Sequence, residues 1–137
     1  MGVDIYGIGN KEAYFRSNWW YWRPLWDYTC KNAVGVVSAE EHAKGHSNCG
    51  ELLNAEQTDA VALILKELLD SGHTAVYAEH YNDGDYKEGF VQTLEGGVRT
   101  QIQKAGFELP SVHYPFSVKA VKDFAEFLAS AKGMEIY

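Results

Sequence analysis

The chain is short of most residues that specialise a protein. Two cysteines, Cys30 and Cys49, in 137 residues exclude a disulfide scaffold and leave reduced thiols as the expected state. Twelve lysines and arginines stand against nineteen acids, a formal net charge of -7. That balance excludes a nucleic-acid backbone as the main partner, because phosphate contacts need a basic surface. No apolar run approaches the roughly 20 residues that span a bilayer, so no membrane partner is expected. Met1-Gly2-Val3-Asp4 lacks the basic and apolar regions of a secretory leader. Gly7-Ile8-Gly9 lacks the third glycine of a dinucleotide fingerprint, and no other phosphate loop is present, so no cofactor is expected. These absences leave one soluble, cytoplasmic globular domain over residues 1–137, with no linker and no repeat.

Arginine is also scarce, at three residues against nine lysines, and its placement is uneven. Arg16 and Arg23 fall inside Tyr14–Asp27, the segment that also holds all four tryptophans, Trp19, Trp20, Trp22 and Trp26. Guanidinium is always charged, stacks on rings and forks onto carboxylate or phosphate. The functional reading is a pocket in which rings sandwich a planar group and Arg16, Arg23 and Arg99 clamp an anion, as a nucleotide-like ligand requires. The alternative is packing, with Arg16 and Arg23 paired internally to Asp4 or Asp27.

The pattern predicts an α+β domain with about three to four helices on a small, mainly antiparallel sheet. Val3–Ile8 reads as a strand followed by a polar loop, and Pro24 marks the entry of a helix, with Trp19 and Trp22 in a preceding turn or in the same helix, kinked. Ser38 with Glu41 and Asn54 with Gln57 are capping boxes. The first starts a short helix that Gly45 stops; the second precedes Ala60, Val61, Ile64, Leu65, Leu68 and Leu69 at helical spacing, ended by Gly72. His73–Tyr81 is ambiguous. Residues 90–102, two alternating runs about Gly96-Gly97, predict a hairpin. Ser117 caps a last helix ended by Gly133, and Met134–Tyr137 alternates like Val3–Tyr6, which places both ends of the chain in one sheet.

Several pieces resemble a family of uncharacterised small proteins carried by bacteriophages and prophages. They are Met1–Gly7, Tyr14-Phe15-Arg16 with Asn18, Trp22-Arg23-Pro24-Leu25-Trp26, Gly45-His46 with Asn48 and Gly50, Tyr114-Pro115-Phe116-Ser117, and Phe124–Leu128 with Gly133 and Ile136. The resemblance implies a phage origin, hence the host cytoplasm, and little chemistry. Relatives of this kind often carry a Cys-x-x-Cys pair before Gly-Thr-Gly-x-Arg. Here the corresponding Thr93–Arg99 keeps Arg99 and has no cysteine, so a zinc role of that region does not carry over.

Three functions follow as expectations. The first is a non-enzymatic phage accessory protein, countering host defence by binding a small anionic ligand through Arg16, Trp19, Trp20, Trp22, Arg23, Trp26, His46, Asn48 and Arg99. Such pockets often form between subunits, so a homo-oligomer is one expectation. The second is an acidic inhibitor or mimic that binds a host protein by charge complementarity. The third is a small metal-dependent or Cys/His hydrolase. Cys30, His42, His46 and Cys49 give Cys-x11-His-x3-His-x2-Cys, a zinc-capable set, although a helix break at Gly45 would separate the histidines. His73, His80 and His113 belong to no recognisable catalytic motif. Asn82-Asp83-Gly84-Asp85 resembles part of a calcium loop but lacks the closing Glu.

Overall fold

The computed structural model describes residues 2–82 and 116–137. The 90–102 hairpin, Arg99, His113 and the turn after Asn82 lie outside the described residues. Within them the chain runs β1 (Gly2–Gly7), β2 (Tyr14–Asn18), α1 (Trp19–Asn32), α2 (Ala39–Lys44), β3 (Gly50–Leu53), α3 (Ala55–Asp70), α4 (His73–Asn82), α5 (Val118–Ala131) and β4 (Met134–Ile136). The four strands form one antiparallel sheet in the order β2-β1-β4-β3. The two ends of the chain do share the sheet, with Ile5 opposite Ile136. No helix among the described residues is long and apolar enough to cross a membrane.

Period-two alternation decides which face of the sheet is covered. Val3 and Ile5 of β1 and Met134 and Ile136 of β4 point into the core with no exposed surface. The intervening Asp4, Tyr6 and Glu135 face outward, where Tyr6 packs on Tyr14 and Tyr137. Over the inner face lie α1 and α5, and α3 packs against α5. The apolar stripe of α5, Val121, Phe124, Ala125, Leu128 and Ala131, is buried, and Phe124 meets Phe15 at 5.2 Å and Trp22 edge-on at 5.3 Å. Both capping boxes form reciprocally, at Ser38/Glu41 and Asn54/Gln57. The Gly133 N–H donates to Thr58 Oγ1 at 3.0 Å in the interior, fastening the start of β4 to the first turn of α3.

Three elements differ from the sequence reading. The polar loop after β1 contains β2, an edge strand whose exposed residues, Tyr14, Arg16 and Asn18, hide the alternation. Helix α1 begins at Trp19 rather than at Pro24, because the Asn18 side chain accepts the Tyr21 N–H at 2.9 Å and caps it. Pro24 therefore lies inside the helix, past its first turn, where it forfeits the N–H bond to the Trp20 carbonyl. The segment Gly50–Leu53, which carries no strand signal in the sequence, is β3.

The ambiguous stretch from His73 is helix α4. Its first turn is tied to α1: the Tyr28 hydroxyl lies 2.7 Å from His73 Nδ1 and 2.9 Å from Thr74 Oγ1. Burial holds the His73 pKa below its ordinary value and pushes Tyr28 up to about 12. His73 thus stays neutral in the fold and accepts from Tyr28. As pH falls below about 6.5, the unfolded chain takes up the proton before the folded one does. The contribution of His73 is therefore full above that pH and is lost as the solution is acidified through the lower, folded value. Urea midpoints of the native protein should drop between pH 7 and pH 5, and His73→Gln should flatten that slope. An unchanged slope in the variant would show that His73 does not set it.

Candidate functional site

The tryptophan segment organises the site from the interior outward. Trp22 and Trp26 are four residues apart on α1, so their indoles stack, 5.4 Å between centroids at 16°. Both are fully buried, so neither lines a binding surface as the sequence reading expected. Their role is to hold the neighbouring backbone. Trp22 Nε1 donates to the Gly45 carbonyl and Trp26 Nε1 to the His42 carbonyl, each at 2.8 Å. Buried indole N–H groups need such acceptors, and here the acceptors belong to the last turn of α2.

Gly45 is small because of this contact. A β-carbon at Gly45 would overlap the Trp26 indole. Its backbone is right-handed, φ -64° and ψ -10°, so it does not turn the chain away. The Gly45 N–H donates to Glu41 O at 3.0 Å and the His46 N–H to Ala43 O at 3.2 Å. His42 and His46 consequently emerge on one side, with ring centroids 5.5 Å apart. The expected helix break does not separate them, because a glycine chosen for close approach differs from one chosen for a left-handed cap.

Both rings meet Asp27, the residue after Trp26 on α1. His42 Nε2 is 2.7 Å and His46 Nε2 is 2.8 Å from the same oxygen, Asp27 Oδ1. Burial works to raise the Asp27 pKa, but the hydrogen bonds from His46 and His42, with Lys31 nearby, outweigh it and leave the carboxyl below its ordinary value. An ionised carboxylate only accepts, so both imidazoles present Nε2–H to it. In a neutral His46, Nδ1 is then an acceptor. It is the single buried side-chain polar atom without a hydrogen-bond partner among the described residues.

His46 also forms one wall of a cleft of about 660 Å³ shared with Gly2, Trp19, Trp20, Arg23 and Asn48. Five of the nine expected ligand residues are thus brought together: Trp19, Trp20, Arg23, His46 and Asn48. Trp20 is 52% exposed. The Arg23 guanidinium lies 5.7 Å from the centre of the Trp19 ring and makes no ion pair among the described residues. Arg16 is outside the lining but adjoins it, against Gly2. It pairs with Asp4 at 3.8 Å, as the packing alternative expected, yet its side chain is 65% exposed rather than interior. A second groove of about 750 Å³ between α3 and α5 is walled by residues such as Ala62, Leu63 and Ala125, with no aromatic, histidine or thiol among its described residues.

The cysteines stand apart from this cluster. Among the described residues, the only group of three or more metal-capable side chains is Asp27, His42 and His46. Cys30 is buried and Cys49 partly so. Burial raises both thiol pKa values, and Asp27 and Glu41 raise that of Cys30 further. Neither sulfur is poised as a thiolate nucleophile. Asp27 is the site residue the sequence reading missed. The His-x3-His pair was visible, but its third partner lies on the tryptophan helix, 15 and 19 residues upstream. Comparison with known proteins finds no matching family model, no matching curated protein and no matching solved structure, so the site is read from its geometry alone.

Proposed function

We propose that the chain is a binding protein whose cleft takes a small anionic molecule carrying a planar group, of the nucleotide class. The observation that carries this reading is the pairing of half-buried Trp19 and exposed Trp20 with an Arg23 that has no carboxylate partner among the described residues, at the mouth of one cavity. Indole faces accept a flat heterocycle, and a guanidinium with no counter-ion among the described residues offers forked donors to phosphate. Asn48 adds polar donors and acceptors on the same wall. The overall charge of -7 does not oppose this, because one convergent cation is enough for a small ligand. A phage accessory protein that captures a host nucleotide signal fits the resemblance noted above. The raised thiol pKa values disfavour the Cys/His hydrolase reading.

The test is calorimetry and tryptophan fluorescence with a panel of mono-, tri- and cyclic nucleotides. At least one member should bind and quench Trp19 and Trp20. Arg23→Ala should weaken it about tenfold or more, the loss of one charge-assisted contact. Arg16→Ala should weaken it less, since Arg16 already holds Asp4. A panel without a single binder would overturn the proposal.

A further inference from the structure

We infer that Asp27, His42 and His46 form a binding site for a late first-row divalent metal ion, with zinc as the type case. Three ligand-capable atoms, two imidazole Nε2 and one carboxylate oxygen, lie within 4.8 Å of one another. Both nitrogens already aim at the same oxygen, at 2.7 and 2.8 Å. Two imidazoles and one carboxylate are the donor set of many open zinc sites, in which three protein ligands leave a further position to water or an anion. The imidazoles favour zinc, nickel, copper or cobalt over magnesium and calcium, which prefer oxygen donors.

Tetrahedral zinc, with ligands at about 2.0–2.1 Å, separates its donor atoms by roughly 3.3 Å. The two nitrogen–oxygen spacings need to open by about half an ångström, within reach of side-chain rotation, since His42, His46 and Asp27 are each partly exposed. Each neutral imidazole would then shift its proton from Nε2 to Nδ1, and the metal would replace two N–H hydrogen bonds to Asp27. Rigidity favours the site. The His42 carbonyl is held by Trp26, the Gly45 carbonyl by Trp22, and Asp27 belongs to the helix that carries both indoles. The ligands are therefore placed by buried groups before any ion arrives, which lowers the ordering cost of binding. The inference stands independently of the proposed nucleotide cleft, although His46 is common to both.

The experiment uses the full chain, stripped with chelator and dialysed. Titration with zinc should show one equivalent bound, and cobalt should give the strong visible absorption of a low-symmetry four-coordinate ion. Asp27→Asn and His42→Gln should each abolish the stoichiometric equivalent, whereas His73→Gln should retain it. If a variant fails to fold, long-range proton–nitrogen spectra of the native chain decide: zinc should move the ring nitrogens of His42 and His46 and leave those of His73 in place. No binding, or movement confined to other histidines, would overturn the assignment. Nucleotide binding measured in chelator reports on the cleft separately, so either reading can fail without the other.

Discussion

Trp26→Ala is expected to destabilise the protein by roughly 3–5 kcal/mol, the cost of removing a fully packed indole and leaving a cavity. That is a large share of the about 5–15 kcal/mol that holds a typical domain together. Three losses coincide at this position: the stack on Trp22, the hydrogen bond to the His42 carbonyl, and the surface against which Gly45 is pressed. A denaturant titration measures the sum. A double-substitution cycle separates the last component. In the native background Gly45→Ala drives a β-carbon into the indole and should cost about 1–3 kcal/mol. In the Trp26→Ala background the same change enters vacated space and should cost close to nothing. Additive costs would mean that the indole does not set the position of Gly45. The cycle also reaches the site, because this contact lets the chain continue past Lys44 in a right-handed turn and brings His46 beside His42.

What could be read in advance follows the range over which each interaction acts. Ser38 with Glu41 and Asn54 with Gln57 are reciprocal bonds across three residues, so each box declares itself without tertiary context. The alternation of Val3–Tyr6 and Met134–Tyr137 reported a shared sheet because one face is uniformly buried. Strand β2 was hidden because an edge strand with Tyr14, Arg16 and Asn18 outward carries little apolar contrast. The start of α1 was hidden because its cap, Asn18, is followed by bulky aromatics, and Pro24 offered a stronger local signal five residues further on.

The site divides in the same way. Residue chemistry assigns Trp19, Trp20, Arg23, His46 and Asn48 to one ligand, and the fold assembles them around one cleft. Composition could not distinguish the tryptophans that line it from those that build it. Trp22 and Trp26 face inward because they share the inner side of α1 with Leu25 and Thr29; Trp20 and Arg23 turn towards solvent, and Trp19, in the first turn, sits half-buried at the boundary. The partner of the two histidines was invisible because it depends on the docking of α2 against α1, a tertiary event fixed by two indole N–H groups rather than by any spacing along the chain.

Ile136→Asp should abolish stable folding. Strand β4 has only three residues, yet it stands between β1 and β3, and Ile136 is paired with Ile5 on one side and Gly50 on the other. Its side chain has no exposed surface. Replacing it forfeits about 1.5–3 kcal/mol of apolar burial. It also places a carboxyl among Val3, Ile5 and Met134, where an unpaired polar group costs roughly 2–7 kcal/mol more. The sum rivals the whole stability of a domain. Ile136→Val, which removes one methylene and keeps the strand, should cost only about 0.5–1.5 kcal/mol and serves as the control. Circular dichroism and urea titration read both. A cooperative melt of the Asp variant within a few degrees of native would show that β4 is not the keystone of the sheet. The consequence extends to the cleft, because Gly2 at its wall pairs with Asn18, the residue that caps α1 and launches Trp19, Trp20 and Arg23. Ile5↔Ile136 lies in the same strand as Gly2, so a substitution that releases β4 from β1 loosens the frame on which the helix start rests. Any ligand binding retained by Ile136→Val should therefore vanish together with the fold in Ile136→Asp.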